Sequence, residues 1–152
     1  MTLATIMSGI AALAPTYDSD VTVNVRGYNA IEPTLSEAEC PMRMILAPDD
    51  SVGAEMSVIS LGAVQKVTWT ILDRLYLFPV NLDQGIENYN HKLYDYMASY
   101  SAAVKANRCL STTDASVQGV SFTAPFVRNF PDVEGATAFW VVDAVLTVEE
   151  YI

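Results

Sequence analysis

The chain has 152 residues, which is enough for one domain with its own hydrophobic core, without support from disulfides or a structural metal. Its 18 Asp and Glu outnumber its 8 Lys and Arg, and the formal net charge of -10 disfavours unaided binding to DNA or to an anionic membrane. Apolar residues make up 51% of the chain and charged residues 17%, so part of the apolar surface is expected to face a partner. We therefore expect a single domain over residues 1–152.

The N-terminal stretch MTLATIMSGIAALAP predicts a short amphipathic helix over residues 3–14, because its apolar residues recur at helical spacing until Pro15. The stretch lacks a basic start and is shorter than the ~20 residues that cross a bilayer, so we interpret it as part of the mature fold. Cys40 and Cys109 stand in no metal-ligand spacing. We expect two buried thiols, with a disulfide or a reactive thiol as the alternatives.

Two early segments predict strands. The alternating valines of residues 21–25 are typical of a half-buried strand that ends near Gly27. Residues 29–40 show no sustained period and predict an exposed connection. Residues 42–46 then predict a strand between two flanking prolines.

The middle of the chain predicts a loop and a long strand. Residues 48–62 combine acids, glycines and apolar side chains, which favours a mobile loop suited to docking. Residues 64–78 alternate over the longest run in the chain and predict its clearest strand. Asp73 interrupts the apolar face of this strand, so we expect a surface defect, with an ion pair to Arg74 or another base as the alternative.

A second helix is predicted over residues 81–107, because its apolar residues step by four and three alternately. That seam consists of Leu82, Ile86, Tyr89, Leu93, Tyr96, Tyr100 and Ala103. We expect its three tyrosines to pack in the core, with hydroxyls that reach the edge. Residues 120–126 and 138–149 alternate again and predict a closing antiparallel hairpin.

These elements together predict an α+β fold. We expect one mixed, mostly antiparallel sheet, packed by the long helix and by the short N-terminal helix.

Patterns that would indicate chemistry are sparse. The single histidine, His91, precedes Asp95 by one helical turn, and we expect a pair on the helix surface. Asp49, Asp50 and Glu55 lack the spacing of a calcium-binding loop and are expected to be solvated acids. The sequence contains no dinucleotide-binding, P-loop, hydrolase or zinc-protease motif. We therefore expect no enzymatic activity, no cofactor and no metal.

The order of elements points to a family. The N-terminal helix is followed by the segments VTVNV, PMRMILAP and VTWTILDRLYLFP, then by the helix LDQGIENYNHKLYDYMASYSAAVKAN and the strands VSFTAPF and AFWVVDAVLTVEEY. This order covers almost the whole chain and resembles that of the tail-terminator proteins of long-tailed bacteriophages. The resemblance rests on the order of elements and on the proline-flanked strand, without a short diagnostic motif.

The resemblance implies a structural virion protein that is made in the host cytoplasm and lies at the top of the tail, at the neck. Such a protein forms a ring of about six identical subunits, a homohexamer, which stops polymerisation of the tail tube. Its implied partners are other copies of itself, the major tail-tube protein and the head-completion or neck connector protein. DNA passes through the lumen without specific binding, and no membrane is involved.

Two sets of surface residues follow from this expectation. The set expected at the partner interface is Asp49, Asp50, Val52, Glu55, Met56, Val58 and Ile59. The acids expected at the lumen or its rims include Glu32, Glu37 and Glu39. Acids in these places would repel the phosphates of the passing DNA.

Three alternatives stay open. Another head-to-tail connector or head-completion protein has a similar size and equally few motifs. A small non-viral binding module would recognise a ligand or a peptide, for example by strand addition. An unrecognised enzyme would need His91, Asp73 and Asp95 to converge on one cleft.

Overall fold

One mixed sheet forms the frame of the molecule, and two helices pack on one of its faces. The computed structural model describes residues 3–18, 23–27, 34–46, 54–58, 65–80, 86–131 and 133–151. Within these ranges the helices are α1 (Leu3–Ala11) and α2 (Asn90–Ala106). The seven strands within them are β1 (Asn24–Arg26), β2 (Met42–Leu46), β3 (Ala54–Val58), β4 (Gln65–Pro79), β5 (Ala115–Phe122), β6 (Phe126–Phe130) and β7 (Thr137–Tyr151). The predicted α+β fold with one mixed, mostly antiparallel sheet is confirmed.

The sheet is built around two long central strands, β4 and β7, which pair antiparallel along most of their length. On the far side of β4, β2 pairs with its second half and β3 with its first half. On the far side of β7, β5 and β6 pair with successive halves in the same way. With β1 parallel to β2, the described strands form five columns, in the order β1, β2–β3, β4, β7 and β5–β6.

The length of β4 follows from its alternation of apolar and polar residues. Ile71 and Leu75 are fully buried towards the helices and lie opposite Leu146 and Val142 of β7. Such cross-strand apolar pairs are the main source of sheet stability. A register shift between Tyr76 and Phe78 then turns the end of the strand.

The helical layer buries one stripe of each helix. In α1 the buried residues are Ile6, Met7 and Ile10. In α2 they are Leu93, Tyr96, Tyr100 and Val104, which confirms the predicted seam for its three middle residues, whereas Val104 is buried in place of the predicted Ala103, which is half-buried. Both helices are shorter than predicted, because α1 ends at Ala11 and a short 3-10 turn over Ile86–Tyr89 precedes α2. The predicted helix start at residues 81–85 lies outside the described residues.

A second apolar cluster lies on the opposite face of the sheet. Its buried members are Met42, Met44, Tyr76, Phe139 and Val141. Leu35, from the segment before β2, and Phe130, from β6, pack against this cluster. The ring of Phe130 meets that of Tyr76 edge-on with centroids 5.4 Å apart.

Two predictions about strands were wrong in detail. Residues 48–62 were expected to form a loop, but Ala54–Val58 form β3, because they continue the column that β2 begins along β4. Residues 120–126 were expected to form one strand, but it is broken between Phe122 and Phe126. The Thr123 N–H still donates to the Asp143 carbonyl of β7 at 3.0 Å, and the break follows at Pro125, which has no N–H to donate.

Candidate functional site

A buried cluster of polar groups lies at the centre of the interface between helices and sheet. Arg43 of β2 and Asp73 of β4 are 1% and 0% exposed, and Arg43 Nε lies 3.0 Å from Asp73 Oδ2. The Tyr100 hydroxyl of α2 donates to the same carboxylate at 2.6 Å. The guanidinium also donates to the Leu13 carbonyl at 2.6 Å and to the Ile10 carbonyl at 3.0 Å. One cluster therefore connects α1, α2 and the sheet.

The Arg43 contacts add hydrogen bonds to backbone carbonyls at the C-terminal end of α1, where the Ile10 carbonyl also accepts the Leu13 N–H at 3.1 Å. The last carbonyls of a helix have no partner within it, and a cation near them is stabilised by the helix dipole. The carbonyl of Ile10 lies in the last turn of α1, and Leu13 lies two residues beyond the end of the helix. Arg43 therefore caps α1 from the sheet.

The electrostatics of the cluster favour a charged pair beside a neutral tyrosine. Burial raises the pKa of Asp73, while Arg43 and the hydrogen bond from Tyr100 act in the opposite direction. Burial lowers the pKa of Arg43, but the nearby Asp73 carboxylate outweighs this and raises it. Burial, followed by the Asp73 charge, places the pKa of Tyr100 well above its ordinary value. Because an arginine keeps its proton, the ionised carboxylate is its matching partner.

This arrangement corrects two expectations. Asp73 was expected to be a surface defect, but it is fully buried and pairs with Arg43 instead of Arg74. The hydroxyl of Tyr100 was expected to reach the edge, but it points to Asp73 in the core. The structure confirms the alternative expectation, that Asp73 forms an ion pair with a base other than Arg74.

A second buried ion pair lies on the opposite face of the sheet. Arg74 of β4 and Asp143 of β7 are direct cross-strand partners and form two hydrogen bonds, of 2.7 and 2.9 Å. The guanidinium lies 5.5 Å from the centre of the Phe126 ring of β6. The Asp143 N–H donates to the Thr123 hydroxyl at 3.0 Å, which fixes the break between β5 and β6. This pair is therefore structural as well.

A third buried acid, Glu150, lies near the end of β7. Trp69 Nε1 donates to its Oε2 at 2.9 Å, and the residue is 3% exposed. Within the described residues its Oε1 has no hydrogen-bond partner. The indole bond holds the carboxylate against β4.

The residues predicted at the lumen are only partly placed. Glu37 is exposed, whereas Glu39 is half-buried and its carboxylate forms an ion pair of 2.9 Å with Arg26. Hydrogen bonds from Ser36, together with Arg26, lower the pKa of Glu39. Glu32 lies outside the described residues. The structure therefore places two of the three acids side by side next to β1.

The predicted partner interface lies mostly beyond what the structure describes. Asp49, Asp50, Val52 and Ile59 fall outside the described residues. The backbones of Glu55, Met56 and Val58 lie in β3, where they pair with β4. These residues were expected in a loop, and that expectation was wrong for the three that the structure describes.

The residues of the possible catalytic centre do not converge. His91 and Asp95 are both exposed on α2, as expected of a surface pair. Asp73 lies fully buried beneath the same helix. The structure therefore does not bring the three together in one cleft.

The prediction of two buried thiols was wrong. Cys109 is exposed in the turn after α2, and Cys40 is half-buried. Both are free, so the chain has no disulfide between them. The turn places Cys109 outwards because the apolar stripe of α2 ends at Val104.

The β5–β6 column, together with the adjacent face of α2, forms a surface that the sequence pattern did not indicate. A groove of about 290 Å³ lies where α2 crosses the break between β5 and β6. It is lined by Asn90, Leu93, Tyr94, Met97, Phe122, Thr123, Ala124 and Pro125. Tyr94 is 72% exposed at its rim, the highest value among the large apolar side chains described. The signal for it in the sequence is a tyrosine that stands outside the apolar seam of α2.

The described residues contain neither a candidate metal site nor a candidate membrane-spanning helix. No group of three or more His, Cys, Asp or Glu in this part of the chain could hold a metal ion. Neither described helix has the length and apolar character that crossing a bilayer requires. No protein-family model matches the chain, and no curated protein sequence matches it.

Proposed function

We propose that the chain is a structural virion protein, the tail terminator of a long-tailed bacteriophage. In this proposal it forms a ring on the end of the tail tube, stops polymerisation there and offers its other side to the neck connector. It acts without catalysis and without a cofactor. The order of elements in the sequence is the first support.

One structural observation supports the ring. Among the described strands the sheet ends in two different outer columns, β1 and β5–β6, on opposite sides of the molecule. A ring needs a head-to-tail contact between two different surfaces of the same chain, whereas a two-fold dimer uses one surface twice. Two unlike edges on opposite sides meet this requirement.

The contacts of the buried charged groups with one another support a structural role for the protein. Arg43, Asp73 and Tyr100 tie the helices to the sheet, and Arg74 with Asp143 ties the two central strands. These groups are engaged with one another in the interior. The titratable groups with the most unusual surroundings therefore serve the fold.

The net charge of -10 supports the passage of DNA through the ring without specific binding. The proposed partners are the major tail-tube protein on one side and the neck connector on the other, at the top of the tail. Asp49, Asp50 and their neighbours up to Ile59 remain the proposed tube-docking segment.

A small binding module is the second candidate function, and the groove beside Tyr94 favours it. A groove of about 290 Å³ is just below the ~300 Å³ at which small-molecule sites begin. A monomer that binds a small ligand in this groove would support this candidate over the ring.

The experiment that tests the proposal adds the purified protein to polymerising tail-tube subunits. We expect it to stop elongation and to be found at one end of each tube by electron microscopy. The variant Asp49→Lys with Asp50→Lys should lose this effect, while the control Asp95→Lys on exposed α2 surface should keep it. Tubes of unchanged length without bound protein would contradict the proposal, and binding only to the head side would indicate a connector.

A further inference from the structure

Two grooves lie end to end between α2 and β5, on the helix side of the sheet. The first is the groove of about 290 Å³ beside Tyr94. The second has about 170 Å³ and lies between the C-terminal half of α2 and residues 117–120 of β5. Phe122 lines the first groove and Val120 the second, and these side chains are neighbours on one face of β5. The two grooves therefore form one cleft, the α2–β5 cleft, which follows most of α2 over roughly 25 Å.

The two ends of the α2–β5 cleft differ in chemical character. The end beside Tyr94 is mostly apolar and includes Leu93 and Met97 of α2. At the other end the exposed bases Lys105 and Arg108 line the cleft. Among the described residues, neither base has a carboxylate as ion-pair partner. The chain has 18 Asp and Glu, but none of them lines either groove.

The acids nearest to the cleft in the sequence limit where a negative charge can bind. Asp95 is exposed on α2 near the apolar end, and Asp114 is exposed in the turn before β5. Glu134 stands in the turn after β6, in the other half of the outer column. An anionic group is therefore favoured between Lys105 and Arg108 and disfavoured beyond them towards Asp114.

The basic end is held in place by β5. The Arg108 carbonyl accepts the Val117 N–H at 2.8 Å, and Arg108 Nε donates to the Val117 carbonyl at 3.4 Å. These two bonds occupy the outward-facing backbone groups of Val117. The free part of the β5 edge therefore begins after this residue.

The edge of β5 is open beside the cleft. Among the described strands, only β7 pairs with β5. The Thr123 N–H points to β7, where it donates to the Asp143 carbonyl at 3.0 Å. Because backbone groups alternate in direction along an antiparallel strand, those of Val120 and Phe122 point away from β7. Each of these two residues offers one N–H and one C=O to a further strand.

We propose that the α2–β5 cleft binds an extended, acidic peptide segment of a partner protein, which adds a strand to β5. The segment pairs with the backbone of Val120 and Phe122 and places an apolar side chain in the groove beside Tyr94. Its acids lie against Lys105 and Arg108. Antiparallel pairing puts its apolar residues before its acids, and about eight extended residues match the length of the cleft.

The charge of the protein makes this site selective. With a net charge of -10 the chain repels an acidic segment overall, so the two bases decide where it binds. A fatty acid would meet the same apolar and basic ends, but it would leave the open backbone groups of β5 unpaired. The proposal does not rest on the ring, because the segment occupies β5 and leaves β6 and β1 as two unlike edges.

A probe peptide with the order Thr-Phe-Thr-Val-Thr-Glu-Asp-Glu tests the proposal. It carries a fluorescein label and is titrated with the full chain, with fluorescence anisotropy as the readout. We expect saturable binding, and a second peptide with Gln in place of each acid should bind about tenfold more weakly. Lys105→Gln should weaken binding of the acidic peptide about fivefold and leave binding of the Gln peptide unchanged. Unchanged binding of the Gln peptide also shows that the variant is folded.

Val120→Pro tests the added strand. It removes an N–H that points away from β7, so the pairing of β5 with β7 is kept while the probe loses a backbone bond. We expect the affinity for the acidic peptide to fall about tenfold. The matched control Val120→Ala keeps the N–H and should bind nearly as well as the wild type. Thermal unfolding of both variants confirms that they are folded.

Four results would overturn the proposal. The first is the absence of saturable binding of the acidic peptide at millimolar concentration. The second is equal binding of the Gln peptide, and the third is a folded Val120→Pro variant that binds as tightly as Val120→Ala. The fourth is binding of dodecanoate without binding of the peptide, which would assign the cleft to a small amphiphile instead.

Discussion

Arg43 and Asp73 form an ion pair in the centre of the core, although 30 residues separate them in the sequence. Their side chains are almost completely buried, and each also binds a helix: Arg43 binds the end of α1, and Asp73 binds Tyr100 of α2. A charge in this position costs desolvation energy, and the compensating contacts come from three elements at once. The pair therefore makes the packing of both helices on the sheet depend on one contact.

Asp73→Asn removes the negative charge and leaves the Arg43 guanidinium buried without compensation. We expect the free energy of unfolding to fall by about 3–5 kcal/mol, measured by urea denaturation at one protein concentration. The matched control is Asp95→Asn, because Asp95 is exposed on α2 and should change stability by less than about 0.5 kcal/mol. Equal stability of the two variants would show that the pair does not hold the core.

Tyr100→Phe deletes only the hydroxyl that donates to Asp73 at 2.6 Å. The aromatic ring stays in the core, so the loss reports the hydrogen bond to the charged carboxylate, and we expect about 1–3 kcal/mol. Tyr94→Phe on the same helix is the control, since Tyr94 is 72% exposed. A Tyr100→Phe variant as stable as this control would contradict the described bond.

Gly9→Ala tests the contact between α1 and the turn after α2. A Cβ at this position would lie 2.7 Å from the Leu110 Cβ and 2.9 Å from its carbonyl oxygen, so the helix must move. We expect a loss of about 1–3 kcal/mol, although Ala usually stabilises a helix interior. Gly119→Ala, where nothing lies within 4 Å, should lose nothing, and the reverse order of the two variants would show that α1 packs elsewhere.

The two cysteines should differ sharply in reactivity towards iodoacetamide. Burial raises the pKa of Cys40 to about 12, so at pH 8 about one thiol in ten thousand is ionised there, and the thiolate is the reactive form. Cys109 is exposed and should be alkylated first. Mass spectrometry of the labelled protein gives the order, and Cys109→Ser should then remain largely unlabelled. Rapid labelling of Cys40 in that variant would contradict its burial.

Much of the fold could be predicted because its helices and long strands show a local periodicity of apolar residues. The seam of α2 runs through Leu93, Tyr96 and Tyr100, and these residues are buried as their spacing requires. The alternation of β4 and β7 likewise gave both long strands nearly to the residue. A helix or strand that buries only one of its faces has apolar residues at regular spacing, and this spacing is visible in the sequence.

The rest of the fold depends on contacts between residues that are far apart in the sequence. Local periodicity carries no information about such contacts. Asp73 breaks an apolar alternation, and only the position of Arg43 on the neighbouring strand explains why it is buried. Residues 54–58 alternate apolar and polar side chains, but the run is only five residues long, and it becomes a strand because β4 offers it the edge beyond β2. Lys105 and Arg108 lie beside residues 117–120 of β5 only because α2 ends next to that strand.

Native mass spectrometry of the purified chain over a range of concentrations, with and without tail tubes, tests the proposed ring most directly. We predict one closed assembly of about six subunits, which forms alone at high concentration or on the tube at low concentration. A monomer under every condition, including saturating tail tubes, would contradict the ring and with it the proposed function.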